Sequence, residues 1–407
     1  MQLSFTSVAV VAAVAVVVPL VLDLAHVRLP AVVLEIFLGI MIGPQVLGWA
    51  ELDEPVRVLA LLGLAFLLLL AGLEIDLNLL RGRVLRLTLV SFGLSFALAL
   101  LAGYGLRTVG LVRSPLLIAI ILSATGLGII LPILKDAGET ATPFGRLVIC
   151  GATIAEVAPI VLLSLFFSGS EGPLGAKVAL LAAFIVFVVA VAALILGLER
   201  SKRITEALVR LQDTSAQIRV RGAFLLLTIF VVLASKFGLE AILGAFFAGA
   251  TLRLVDTDEM MTHTLLRAKL EAVGFGVFVP FFFVSTGMAL DVGSLFEHAS
   301  TLARVPIFLA ALLVVRGLPT LAYRPFGQPR QLVGGALLEA TSLSIPVVAG
   351  QIGVDLHLIS AQSYIALVAA GLLSVIVFPL LAVPLLPGRA VRSRPGVSAA
   401  TRLTKPA

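Results

Sequence analysis

Runs of about twenty residues with few or no charges, the length of helix that crosses a bilayer, recur along the whole of this 407-residue chain. No other feature restricts the fold as much. A soluble domain has no core large enough to hide so many of them, and a mean hydropathy of +1.15 with only 13% charged residues places the chain among membrane proteins. Windows broken by charged or Pro/Gly turns predict thirteen spans, near 4–22, 30–48, 57–75, 86–107, 115–134, 145–168, 176–198, 221–236, 239–255, 271–290, 303–322, 332–352 and 362–386. The expected fold class is an all-α polytopic membrane protein. The first window lacks a basic n-region and a small-residue cleavage site, so it reads as a retained span and not a signal peptide. The one cysteine, Cys150, excludes a disulfide framework within the chain.

Charge asymmetry gives an orientation. Of the 29 Lys and Arg residues, 22 fall in the connections on one side of the thirteen spans, six fall on the other, and Arg316 lies within a span. The positive-inside rule then puts the N-terminus outside and the C-terminus in the cytoplasm of a cell (inner) membrane. The excess of basic residues reflects these loops and not a nucleic-acid partner. Residues 388–407 carry five basic residues and no acid, and read as a short lipid-facing tail with no regulatory domain after it. The longest polar connection, Glu199 to Arg221, divides the chain near its midpoint.

The two halves carry matching segments. AGLEID at Ala71–Asp76 and TGMALD at Thr286–Asp291 are offset by 215 positions. SATGLG at Ser123–Gly128 and EATSLSIP at Glu339–Pro346 are offset by 216 at their Ala-Thr pairs. The spans bearing the first pair cross in opposite directions, which predicts two inverted repeats. The second pair is poor helix. Ser, Thr and Gly loosen the backbone in mid-span, and Pro132 and Pro346 each remove a helical bond nearby. Set in corresponding places of two repeats, they predict crossed discontinuous helices, whose free amides and carbonyls can neutralise or coordinate ions at the midplane. Irregular backbone at that depth is tolerated only around protein or a wet cavity.

Two residues are expensive at membrane depth. Glu156 sits in the middle of GRLVICGATIAEVAPIVLLS, residues Gly145–Ser164. A lone carboxylate there costs about 3 kcal/mol on insertion scales unless it is paired, hydrated or protonated, and such residues mark ion and proton paths. A Glu that merely bonds a neighbouring helix is the plainer alternative. Arg316 lies in AALLVVRGLPTL. It stays charged in any environment, so it needs an acid; Glu156 is the expected partner, and Glu339 the second choice.

With these residues in place, the chain resembles the monovalent cation–proton antiporter superfamily, in its Kef-type and sodium–proton exchanger branch. The resemblance runs from about Val27 to Leu386 and is carried by RLPAVVLEIFLGIMIGPQVLG at Arg28–Gly48, LLGLAFLLLLAGLEID at Leu61–Asp76, LSATGLGIILPILKD at Leu122–Asp136, LEAILGAFFAG at Leu239–Gly249, VPFFFVSTGMALD at Val279–Asp291 and GLLSVIVFP at Gly371–Pro379. It implies that Glu156 takes the place of the family's ion-binding second acid. Ala155 stands where the family has a first Asp or Asn, a departure from the pattern. Arg316 matches the family's basic residue in the eleventh span. The resemblance also implies a transmembrane exchanger domain over 1–387. In it, spans at 4–75 and 221–290 form a dimerisation scaffold, spans at 86–168 and 303–386 form a moving core, and the span at 176–198 links them. Gly39 and Gly43, with Gly244, Ala245, Ala248 and Gly249, suit close helix packing in that scaffold. Glu35, Glu74 and Asp76 read as caps, hinges or interface residues.

The function expected from both lines is exchange of a monovalent cation, Na⁺ or K⁺, for H⁺ by alternating access, in a homodimer and without a cofactor. Glu156 would hold proton or cation, helped by Thr125, Ser123 and exposed carbonyls, with Ser342, Glu339 and Ala155 as secondary positions. Because Ala155 cannot titrate and Arg316 cannot discharge, one proton per cation is expected. A gated potassium-efflux channel or carrier and a sodium-coupled solute symporter are the alternatives. An enzyme is not expected: His26, His263, His298 and His357 fall at span ends or in connections, beside no nucleophile.

Overall fold

The computed structural model describes residues 5–25, 30–75, 82–167, 173–199, 211, 214, 216–255, 262–290, 293 and 299–387. Asp76 and Asp291, Arg28, the tail at 388–407 and most of the polar connection before Arg221 lie outside the described residues.

Every regular element among them is helical. Among the described residues, eleven stretches are long and apolar enough to cross a membrane, and two shorter apolar helices complete the thirteen segments read from the sequence. In order they are α1 (Thr6–Leu24), α2 (Ala31–Ile42), α3 (Glu54–Leu73), α4 (Gly82–Thr108), α5 (Pro115–Leu122), α6 (Leu127–Asp136), α7 (Pro143–Phe167), α8 (Leu174–Glu199), α9 (Ile218–Lys236) and α10 (Ala241–Val255). Then come α11 (Thr262–Val273), continued through a π-helical turn (Gly274–Phe278) into α12 (Val279–Ala289), and α13 (Ala299–Leu312), continued through a second π turn (Leu313–Gly317) and a 3₁₀ turn (Leu318–Tyr323). The last three are α14 (Pro329–Glu339), α15 (Ser344–Asp355) and α16 (Ala361–Ala382). The tenth segment begins earlier than its hydropathy suggests, because the polar first turns of α11 carry Arg267, Lys269 and Glu271.

Helix starts follow local chemistry. Asp53 Oδ1 accepts from the Val56 N–H at 3.1 Å, ahead of α3. The Ser114 and Ser360 hydroxyls accept from Leu117 and Ser363 N–H groups at 3.3 and 3.2 Å, opening α5 and α16. Each satisfies an amide that a helix start leaves free.

Packing falls into two groups. In one, α2 and α3 lie against α12, α3 against α10, and α9 against α10. In the other, α4 packs on α5 and α7, α13 on α16, and α14 and α15 on α16. Glycine permits the closest approaches of the first group. A Cβ on Gly72 would strike the Phe246 carbonyl of α10, and one on Gly249 would strike the Leu69 carbonyl of α3. Backbone cannot yield as a flexible side chain does, and overpacking costs about 1–3 kcal/mol. Gly249→Val is therefore expected to lower the Tm of the detergent-purified protein by several degrees, with loss of yield. An unchanged Tm would show that α3 and α10 separate freely here.

Candidate functional site

Both mid-span breaks expected from Ser, Thr and Gly are present. The first separates α5 from α6 over Ser123–Gly126, and the second separates α14 from α15 over Ala340–Leu343. They cross each other. The Gly126 N–H donates to the Thr341 carbonyl at 2.9 Å, and the Thr125 hydroxyl donates to the Glu339 carbonyl at 2.5 Å. Each break is also tied to the unbroken helix that follows it. The Thr125 N–H donates to the Ala155 carbonyl on α7 at 3.2 Å, and the Ser342 N–H donates to the Ser374 hydroxyl on α16 at 3.1 Å. The buried backbone that helix breaking exposes is thus largely satisfied within the protein, as a low-dielectric interior demands.

Glu156 follows Ala155 on α7, directly beside this crossing. It is half-buried and lines a cavity of about 230 Å³. One wall of the cavity comes from Pro30 and Val32 at the start of α2, α3, Phe275 of the first π turn and Phe283 of α12; the other comes from α6 with the break before it, α7, α15 with the break before it, and α16. Most lining residues are apolar. The polar side chains among them are Glu156, Glu74 and Ser344. Gly126 and Gly128, on either side of the first residue of α6, line the cavity together with Glu156. A helix N-terminus carries a partial positive charge that suits a carboxylate, and the break creates one in mid-membrane. A carboxyl so placed, in a small chamber with mostly apolar walls, can carry a proton or hold a cation.

Arg316 is buried within its span as expected, but it takes the second-choice acid. Among the described residues it is ion-paired to Glu339, not to Glu156: Nη2 meets Glu339 Oε2. Its Nε donates to the Thr125 hydroxyl at 2.7 Å and its Nη1 to the Ser95 hydroxyl at 3.3 Å. Arg316 and Glu339 are each 1% exposed. Arg316 sits in the second π turn, a local widening that often accompanies functional side chains. Glu339 prevails because it ends α14 at the break and turns toward Arg316. Its carboxylate fills the space over Gly151 where any side chain on α7 would collide with Oε1 and with the Tyr323 hydroxyl. Oε1 itself has no partner among the described residues.

The remaining expected site residues are mostly engaged elsewhere. The Ser123 hydroxyl donates to the Ile120 carbonyl at 2.9 Å, within its own helix. The Thr125 hydroxyl is shared between Arg316 and the Glu339 carbonyl. Ser342 is buried at the second break, and its carbonyl accepts from Ser374 at 3.2 Å. Ala155 is fully buried and offers the site only its carbonyl. The sequence reading missed Ser95, which with Thr88 and Ser91 forms a buried hydroxyl stripe on α4. Their spacing of three and four residues was the available signal. It also missed Glu74 as a cavity wall.

A sequence profile of the transmembrane sodium/hydrogen exchangers matches residues 12–387. The chain belongs to that family. The Bacillus subtilis protein YjbQ, whose name assigns it to the Na⁺/H⁺ antiporters, is 30% identical over 392 residues. That match covers 93% of this chain and 62% of YjbQ, so the exchanger chain spans less than two thirds of that relative's length. The Na⁺/H⁺-K⁺ antiporter GerN of Bacillus cereus is 26% identical, over 86% of this chain and 88% of GerN. The solved structure of the sodium proton antiporter MjNhaP1 from Methanocaldococcus jannaschii superposes with a TM-score of 0.67 at 19% identity, covering 93% of this chain and 98% of that one. It shares the exchanger fold.

Proposed function

We propose that the chain is a secondary antiporter that exchanges a monovalent cation, Na⁺ or K⁺, for H⁺ at Glu156. The observation that carries this reading is the placement of Glu156: one carboxyl beside the crossing of two broken helices, at the start of α6, in a cavity between two helix groups. Family membership supports it, and the names of YjbQ and GerN point to Na⁺ and K⁺ as the cations to test.

In this reading the group of α1–α3 and α9–α12 is a scaffold and dimer platform. The group of α4–α7 and α13–α16 is a core that moves against it, carrying Glu156 from one face of the membrane to the other. Proton and cation compete for one carboxyl, so the core crosses with one or the other and the fluxes are coupled. Arg316 and Glu339 balance each other's charge inside the core. A cycle that moves one proton against one monovalent cation is then electroneutral. Proton flux in inverted vesicles, with NaCl, KCl and LiCl added in turn and the membrane potential clamped or free, tests this. Cation-dependent proton flux that ignores the clamp is expected; flux without any cation dependence would refute antiport.

The charge asymmetry of the connections supports an external N-terminus and a cytoplasmic C-terminus in the cell membrane. A reporter fused after Ala407 is expected to read cytoplasmic, and a tag before Gln2 external. Both ends on one side would mean an even number of crossings and would overturn the count of thirteen.

A further inference from the structure

Glu74 stands at the C-terminal end of α3 and lines the same cavity as Glu156. The two carboxylates belong to opposite walls. Glu156 is on the helix group with the crossed breaks, and Glu74 is on the group facing it. Both line a single cavity of about 230 Å³, with no other acid on its wall. Glu74 also reaches across the gap: its Oε2 lies 3.7 Å from where a Cβ on Gly128 would sit, in the first turn of α6. Its tether is loose. Arg267 Nη2 stands 3.5 Å from Glu74 Oε1, while Arg267 Nε holds Glu271 at 2.6 Å. Arg267 therefore has a closer partner, and Glu74 keeps oxygens turned to the cavity, with a side chain 17% exposed.

We propose that Glu74 is a cation-gathering residue of the scaffold wall. It shares the incoming monovalent cation with Glu156 on one face of the membrane, and Arg267 competes with that cation for it. This rests on the antiport reading above. Two carboxylates in a chamber of mostly apolar walls repel until a cation sits between them, and low-dielectric walls focus the attraction. Glu74 does not travel with the core. It helps only while Glu156 faces the end of the membrane at which α3 terminates, so its effect is one-sided.

The test measures half-saturating Na⁺ separately from each face, in inverted and right-side-out vesicles of the full chain. Loss of one focusing carboxylate predicts that Glu74→Gln raises half-saturation about fivefold on the face holding the α3 C-terminus and less than twofold on the other. Arg267→Gln removes the competitor and should shift the same face the opposite way, about twofold or more. Glu74→Asp should lie between wild type and Gln. A merely structural Glu74 would give equal changes on both faces, or the same direction in both variants. Either result, or no change, overturns the proposal. Glu156→Gln in the same assay tests the antiport reading alone: exchange there at the wild-type rate refutes that reading, whereas exchange lost in Glu156→Gln but two-sided in Glu74→Gln refutes only the role of Glu74.

Discussion

Glu156→Gln is expected to abolish coupled exchange, with proton flux falling to that of empty vesicles, while the protein inserts and purifies normally. Gln preserves the side-chain volume and keeps a carbonyl oxygen facing the cavity that Glu156 lines. It cannot release a proton and cannot neutralise a cation. Little in the packing opposes the change, because Glu156 is half-buried against a cavity and has no ion pair among the described residues. Glu156→Asp keeps the charge but withdraws it by one methylene from the α6 N-terminus. Partial exchange with an altered half-saturating cation concentration is expected. A Glu kept for structure would give the reverse: Gln tolerated through its hydrogen bonds, and Ala defective mainly in yield. Dye-monitored proton flux at matched protein amounts distinguishes the two, and wild-type exchange in Glu156→Gln would end the role assigned to it.

The span pattern was legible because bilayer thickness imposes a length that hydropathy records. The breaks were legible for a different reason. Ser123–Gly126 and Ala340–Leu343 combine residues that loosen helix, and the repeat offset placed them in register before any contact was known. Partner choice was not legible. Burial and charge marked Arg316 as needing an acid, but both Glu156 and Glu339 lie on segments near the crossing, and a sequence does not say which side of α7 faces Arg316. The outcome turns on Gly151. With no side chain there, Glu339 can lie over α7 and reach Arg316, while Glu156, five residues further along, turns to the cavity. Glu74 was hidden in a similar way. It closes a helix and matches a family motif, which suggested a cap or hinge; only the facing of two walls across a cavity gives it a second carboxylate to work with.

The Arg316–Glu339 pair sets up the largest expected effect on stability. Both side chains are almost wholly buried. Removing one partner leaves the other charged and unpaired, which costs about 3–5 kcal/mol. Arg316→Leu and Glu339→Leu should each lower the Tm in detergent by many degrees or block accumulation. The double variant should recover most of the loss, because two apolar side chains leave no orphan charge and buried ion pairs are often replaceable at little cost. Arg316→Lys should fall between, since an ammonium cannot span the Thr125 hydroxyl, the Ser95 hydroxyl and Glu339 with one rigid fork. The pair also acts on the site through Thr125, whose hydroxyl accepts from Arg316 and donates to the Glu339 carbonyl. Thr125 in turn gives its N–H to Ala155, the residue before Glu156. A stable double variant should therefore exchange ions more slowly than wild type, with its first break less firmly held. Thermal melts of the two singles and the double close a mutant cycle around the pair. If the double loses as much as the singles combined, the two residues do not stabilise one another, and the crossing must be held by backbone alone.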